Sequence, residues 1–551
     1  MFRISRIAAY TSLAALLCCL SCIENDLSLG SGIVPRENQY DTFIVELPIT
    51  DMSVAMADSL SGFNQQKMML GSIDDSDYGL SSHACALTLT PMMEDIDWGD
   101  VQEVKSFNLY SSYDTVAVAK SSDTHILQEV EAYALEERTS GAFNSNKDLQ
   151  HSTTSIIKGA PVLNGNNDLV LNFTDAFAMD VINKTNGISL KTGFNDYLDA
   201  FPGIYLKTGE PGHSGGRVNS FGVQLGFNAN TAYISENYAA LSINSIFDEE
   251  KGAVDTTFYF LFGMQDYYKL DSLLNYGTQG AFPQYACNIT SHSTEALTGA
   301  ADDKARFEGG AGLKPVIGAA ALRDAVRAAI LDSLETIGHG EDELGEVLIN
   351  KASLILPYKM PSDYTRMDYY PARLSPTTRV KTDTTAFFMN LTDFSSTSEN
   401  QGDINRSLCR YAPDITYHLQ EMLSLPDTTI RNGNYDIWLM IMALETTTTT
   451  ASASSNNEMN EYLQYLMYQN YYNQMYGGYG GYGGYGYGYG NGYSNYTSYM
   501  LAAMYASQGS NNTSTSSAYE IDLMRFYKGE LCGPDDPDDA PRIRVTFSIH
   551  K

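Results

Sequence analysis

The run Gly212, His213, Ser214, Gly215, Gly216 spells G-x-S-x-G. In α/β-hydrolases that pattern lifts a nucleophilic serine onto a tight strand-to-helix turn beside an oxyanion hole. The surroundings here do not suit that chemistry. Residues 207–211 read as a turn and residues 217–227 as a strand, so the glycines predict a hairpin loop. Asp74, Asp75 and Asp77 ahead of Gly79 cluster carboxylates on a turn, as calcium requires. The downstream glutamate of an EF-hand is missing, and a solvated turn competes with the calcium reading. The cluster Asp535, Asp536, Asp538, Asp539 has the same two readings. Eight histidines are scattered without an H-E-x-x-H pair, and His83 with Cys85 is too little for zinc. His418, behind the turn Asp414, Ile415, Thr416, reads as structural. Paired glycosidase carboxylates are set in space rather than in sequence, so a hydrolase using unseen carboxylates or Ser214 stays open as one function class.

Ahead of all this stands an address. Arg3 and Arg6 precede an apolar run over residues 7–20, and small Ser21 sits directly before Cys22. A basic start, a short apolar stretch and a small residue describe a secretory signal, and the stretch is short for a membrane span. With cysteine following the cut, the pattern resembles that of bacterial lipoproteins, whose new N-terminal Cys22 is acylated. Cys19 stands where that pattern usually has Leu, Val or Ile. Behind the signal, Cys85, Cys287, Cys409 and Cys532 remain; in an oxidising compartment they permit two disulfides in three connectivities, and four buried thiols are the alternative.

The chain has 551 residues, 34 Lys and Arg against 66 Asp and Glu, and net charge −32. Nucleic-acid binding needs clustered cations to displace counterions from phosphates, and no such clusters occur. The same acidity opposes adsorption to an anionic membrane surface, so attachment is assigned to lipid on Cys22. No cofactor is implied, calcium apart.

The elements that must position these residues are mostly strands. Candidates fall at residues 42–49, 84–90, 104–110, 168–173, 203–207, 221–227, 239–243 and 256–262. The second half adds 347–356, 384–391, 435–444, 519–526 and 542–549. One helix is expected over residues 317–337, with Ala321, Leu322, Val326, Ile330 and Leu334 at helical spacing and Gly338 as a stop. Both halves show a strand, then a strand running into a short helix (171–181; Asp414 to Gln420), then a closing strand at 256–262 or 542–549. The fold class is therefore mainly β: two tandem β-sandwich-like domains with short helices and a low-complexity Tyr/Gly-rich insertion. The expected boundaries are signal 1–21, tether 22–40, an N-terminal β-rich domain 41–300 and a C-terminal sandwich 301–551. The insertion spans 446–518; its tract 476–493 is almost purely Gly and Tyr, and it is placed at a hairpin tip between strands 435–444 and 519–526. A short helix is a candidate at 462–472, and the G-x-G-x-x-G at 478–483 has no strand before it and is chance.

Five phrases follow one another along the chain: Leu70, Gly71, Ser72 with Asp77, Tyr78, Gly79; the run Phe201 to Lys207; Gly310, Gly312, Leu313, Lys314; Ile349, Asn350, Lys351, Ala352, Leu354; and the closing residues 542–547. Together they resemble the Bacteroidetes lipoprotein family catalogued as domain of unknown function 4270. The resemblance implies outer-membrane attachment and a β-rich fold, and carries no catalytic residues. Glu24 and Asp26 behind Cys22 resemble a surface-export signal of such lipoproteins. Asp-Ser/Thr triplets starting at Asp58, Asp114, Asp255, Asp271, Asp332, Asp383 and Asp427 resemble their O-glycosylation signal. The expected role is a non-enzymatic, surface-facing outer-membrane lipoprotein, as an accessory subunit beside a β-barrel complex that assembles outer-membrane proteins. The alternative is a carbohydrate-binding lipoprotein of a glycan-uptake system.

Overall fold

The structure is a computed structural model that describes residues 39–58, 60–62, 65–93, 95–118, 123, 126–138, 144–190, 194–228, 233–263, 286–381, 386–396, 400–450 and 513–551. The signal, Cys22, Glu24, Asp26, Asp271, Asp383 and residues 451–512, with the Gly–Tyr tract and the helix candidate at 462–472, lie outside them.

The fold is mainly β, built from antiparallel sheets with few helices. A nine-stranded and a five-stranded sheet enclose the first core, where Leu70, Leu87, Ile204 and Leu206 from one sheet meet Phe107, Leu109, Leu241 and Phe260 from the other. A seven-stranded and a second five-stranded sheet enclose the second core, with Leu313, Leu374, Leu439 and Ile441 facing Leu354, Ile543, Val545 and Phe547. The helix Ala319–Glu335 contributes Leu322, Val326, Ile330 and Leu334 to that core and stops ahead of Gly338 at φ +84°. Each fully buried Leu, Ile or Phe contributes ~1.5–3 kcal/mol, so these inner faces carry the stability of both halves.

The expected boundary at residue 300 needs correction. Strand Tyr40–Pro48 pairs with the last strand, Arg542–His550, along its whole length, Tyr40 opposite His550 and Pro48 opposite Arg542. Strand Met52–Met56 pairs with Leu313–Ile317 and Gly299–Ala300. The first two strands thus complete the second sandwich, and the first occupies the stretch from Lys67 to His292, inserted between them and the rest. The reason is the alternation of Tyr40–Pro48: Phe43, Val45 and Leu47 form an apolar face that packs on the second core.

The repeated pattern is realised as one local unit present twice. In the first half Asp100–Ser111 is flanked by Leu169–Asn172 and by Tyr238–Ile246. Phe173 N–H donates to the Phe107 carbonyl at 2.8 Å, and Thr174 caps the helix Asp175–Thr185 by accepting from Phe177 N–H at 3.2 Å. In the second half Leu348–Pro357 is flanked by Arg410–Tyr411 and by Arg542–His550. Ile415 N–H donates to the Ala352 carbonyl at 2.8 Å ahead of the helix Thr416–Ser424. The strand that closes the first unit is Tyr238–Ile246; Val254–Leu261, the expected closing strand, lies one place further out, where Tyr40–Pro48 lies in the second unit.

Strands Ile437–Thr450 and Thr513–Ile521 pair from Met442 opposite Ile521 to Thr450 opposite Thr513. The hairpin that flanks the insertion is therefore present, and its ladder runs on through the Thr and Ser residues counted as insertion at both ends. No helix among the described residues is long and apolar enough to cross a membrane.

Candidate functional site

Ser214 stands in the turn before strand Gly215–Gly222, as the hairpin reading requires. Its hydroxyl donates to the Asp74 carbonyl at 3.2 Å, and His213 Nδ1 lies 3.0 Å from the Ser214 carbonyl oxygen rather than against the hydroxyl. A backbone carbonyl thus orients this serine, and among the described residues no imidazole hydrogen-bonds to its hydroxyl.

Asp74, Asp75 and Asp77 turn the chain between strands Lys67–Asp75 and Gly79–Leu87 instead of converging on a cation site. Asp75 accepts from Asp77 N–H at 2.8 Å, and its carboxylate faces Arg366 at 3.5 Å and Lys528 at 3.9 Å. Two protein cations thus stand against the Asp75 carboxylate. Asp536 accepts from the N–H groups of Asp538 and Asp539 and pairs with Lys359 at 2.5 Å. No group of three His, Cys, Asp or Glu suited to a metal occurs among the described residues.

The four cysteines are thiols, and the disulfide alternative is not realised. Cys85 lies opposite Asn288, while Cys287 lies opposite Ala86. One residue of offset turns the two side chains to opposite faces of the sheet, Cys85 into the first core and Cys287 against Ala84 and Ala86. Burial pushes the Cys85 thiol well above its ordinary range, and burial, reinforced by Asp536, pushes Cys532 up to about 12. Cys409, at φ +47°, donates to the Arg406 carbonyl at 3.6 Å.

Several phrases singled out in the sequence are pins of the fold. Lys314 is buried, and its ammonium donates to the carbonyls of Glu308, Gly310 and Gly312 at 2.6, 3.0 and 3.2 Å, closing its own loop. Asp414 orients Thr416, whose hydroxyl accepts from Ala352 N–H at 2.8 Å, and Gln420 accepts from Ile349 N–H at 2.8 Å. The turn thereby holds the strand Leu348–Pro357. Gly203 has φ +123°, and a Cβ there would come within 2.1 Å of the Leu87 carbonyl oxygen, so only glycine fits. His418, as expected, is buried and structural, its Nε2 3.1 Å from the Tyr435 carbonyl oxygen.

Where the two halves meet, charges are buried together. Glu308 accepts from Ser81 at 3.2 Å and from Thr294 at 3.1 Å, and lies 3.3 Å from His292. Burial pushes the Glu308 carboxyl up, but His292 and then Lys528 outweigh it and hold the carboxyl at about 2. His83 beside them has no hydrogen-bond partner on either ring nitrogen among the described residues; burial first, and then His292, lower it to about 3. Tyr78 donates to the Gly529 carbonyl across the junction at 2.5 Å. A cavity of about 60 Å³ lined by Asp75, Tyr78, Arg366, Phe526 and Lys528 remains there, room for water rather than for an organic ligand. A wider open groove of about 730 Å³ runs between strand His151–Ser155 and helix Asp175–Thr185.

The surface with the most chemistry is the outer face of the first half's five-stranded sheet. Alternation buries Ala239, Leu241 and Ile243 and turns Tyr238, Ala240, Ser242 and Asn244 outward. Register places Tyr238 beside Tyr110, and Ala240 between Asn108 and Tyr259; Ser242 lies between Ser106 and Thr257. The rings of Tyr110 and Tyr238 lie 5.9 Å apart and those of Tyr238 and Tyr259 5.5 Å apart. Asp168 accepts from the Tyr110 hydroxyl at 2.6 Å; this bond, then burial and the Asp168 charge, push that phenol up to about 12, so it stays a donor. Ser242 and Thr257 share a hydrogen bond of 2.8 Å, and Asn244 donates to Asp255 at 2.7 Å. Sequence reasoning missed this site. The signal was a tyrosine at an outward position in each of three alternating strands, but register alone makes them neighbours.

No known family's sequence profile matches the chain, and neither a curated protein nor a solved structure matches it.

Proposed function

We propose that the chain is an outer-membrane lipoprotein, tethered by acylated Cys22 and facing the cell exterior, with a non-enzymatic binding or scaffold role beside a β-barrel assembly complex. The observation that carries the reading is the signal ending in Ser21 and Cys22, followed by a polar tether up to the first strand at Tyr40. Fully extended, residues 22–39 reach at most ~60 Å. The tether enters the second sandwich through Tyr40–Pro48, which leaves the first sandwich as the half not directly tied to the anchor. The resemblance to the domain of unknown function 4270 lipoproteins supports the same location.

Metabolic labelling with a palmitate analogue tests it together with fractionation. The wild-type chain is expected to label and to sediment with outer membranes, and Cys22→Ala to lose the label and become soluble in the periplasm. A Cys22→Ala chain still bound to membranes overturns the lipid anchor. In-cell crosslinking is expected to recover a defined barrel complex; recovery of no protein partner overturns the assembly role.

A further inference from the structure

We propose that the outward face carrying Tyr110, Tyr238 and Tyr259 is a platform for a neutral oligosaccharide chain. The inference rests on the binding role above and names its ligand. Sugar rings present apolar C–H faces, which stack on aromatic rings, and hydroxyls, which need both donors and acceptors. This face supplies both. The three rings cross three adjacent strands, and at ~4.8 Å between strands they span ~10 Å, about two linked hexoses. Ala240 is the small residue between Asn108 and Tyr259, so the floor dips beside the flanking tyrosines. The Asn108 amide and the Asp168 carboxylate flank the rings, and the hydroxyls of Ser106, Ser242 and Thr257 lie two residues further along the same face.

Charge decides the ligand class. Of the outward positions on these strands only Lys105 is cationic, and it is tied to Asp255 at 2.6 Å. At the edge of the face Lys158, beside Asn172, is likewise tied to Asp175 at 2.7 Å, and the other nearby charges, Glu103, Asp168 and Glu236, are acidic. A sulfated, phosphorylated or uronate-rich polymer would find no counter-charge, and a second copy of this face would set acid against acid. A neutral chain meets no such repulsion and can donate its hydroxyls to the carboxylates.

The full chain in detergent tests the proposal by affinity electrophoresis and array binding against neutral α- and β-glucans, mannan, galactan and xylan. Retention by at least one is expected. Tyr238→Ala should weaken it about tenfold through loss of one stacking ring, and Ala240→Arg, which fills the dip at an outward, half-buried position, should weaken it similarly. Tyr238→Phe should retain most of it. An unchanged urea midpoint for Ala240→Arg separates lost binding from lost fold. Binding to none of these polymers overturns the proposal, as does retention that survives both Tyr238→Ala and Ala240→Arg. Self-association that Ala240→Arg abolishes also overturns it and assigns the face to a second copy. Lipid labelling and membrane sedimentation do not depend on these side chains, so a failed glycan test leaves the anchored-lipoprotein reading to be judged separately.

Discussion

In the first half, Asp100–Ser111 lies between Leu169–Asn172 and Tyr238–Ile246, with Val254–Leu261 beyond; in the second, Leu348–Pro357 lies between Arg410–Tyr411 and Arg542–His550, with Tyr40–Pro48 beyond. The inner faces agree in character: Leu109, Leu241 and Phe260 in one, Leu354, Ile543 and Val545 in the other. The outer faces do not. Where the first presents tyrosines, Ser and Asn, the second presents Glu46 paired with Arg544 at 2.7 Å and Arg542 at 3.3 Å, with Lys351, Ser353 and Thr546 beside them. One strand arrangement tolerates both, so the sheet does not require tyrosines outside. The second face carries a single outward tyrosine, Tyr40 beside His550, so the cluster of three neighbouring rings in the first half asks for a reason other than folding.

The largest expected effects lie on the faces that agree. Leu241→Ala and Ile543→Ala should each cost about 2–5 kcal/mol in urea unfolding, because both leave cavities in fully packed cores. A near-neutral result at either would break the claim that the inner faces do the same work. Acid should act next, at the junction between the halves. His83 is held at about 3 against an ordinary 6.5, so the unfolded chain takes the proton first and stability falls as pH drops below 6.5. Glu308, held at about 2 against 4.5, adds a further loss as pH falls from 4.5 towards 2. The urea midpoint should therefore decline from pH 6.5 downward, and His83→Phe should flatten the upper part of the decline; an unchanged slope in that variant refutes the assignment.

The outer faces should yield the smallest changes in stability. Tyr238→Ala should cost about 0.2–1 kcal/mol, as for a cross-strand pair. Arg544→Ala should cost no more than about 1 kcal/mol, since the pair is exposed and screened. A Tyr238→Ala cost as large as that of Leu241→Ala would make the tyrosines structural and remove the contrast. Ser214→Ala, on its hairpin, should change stability by less than about 0.5 kcal/mol.

The strands were largely legible because side-chain alternation is written locally. The expected strand at 239–243 is the centre of Tyr238–Ile246, the expected strand at 542–549 is Arg542–His550, and the helix expected over 317–337 is Ala319–Glu335. Strand Lys67–Asp75 escaped because it is buried on both sides and does not alternate. Leu313–Ile317, fully buried, escaped for the same reason and lies where the helix was expected to begin. The Asp74, Asp75 and Asp77 cluster was visible as a turn, but Arg366 and Lys528 are hundreds of residues away in sequence, and nothing local says they face it.

The sequence by itself determined the mainly β class and the strand-into-helix units, and it holds the basic and apolar pattern ahead of Cys22 on which the proposed anchor rests, because each is read from neighbours within a few residues. Only the tertiary structure decided that the first two strands belong to the second sandwich and that Cys85 and Cys287 point to opposite faces. It alone set three distant tyrosines side by side and brought Glu308, His292 and His83 together. Those outcomes depend on register and on long-range pairing. Burying apolar area drives that pairing without regard to separation along the chain, so local patterning records which residues face inward but not which strand each will meet.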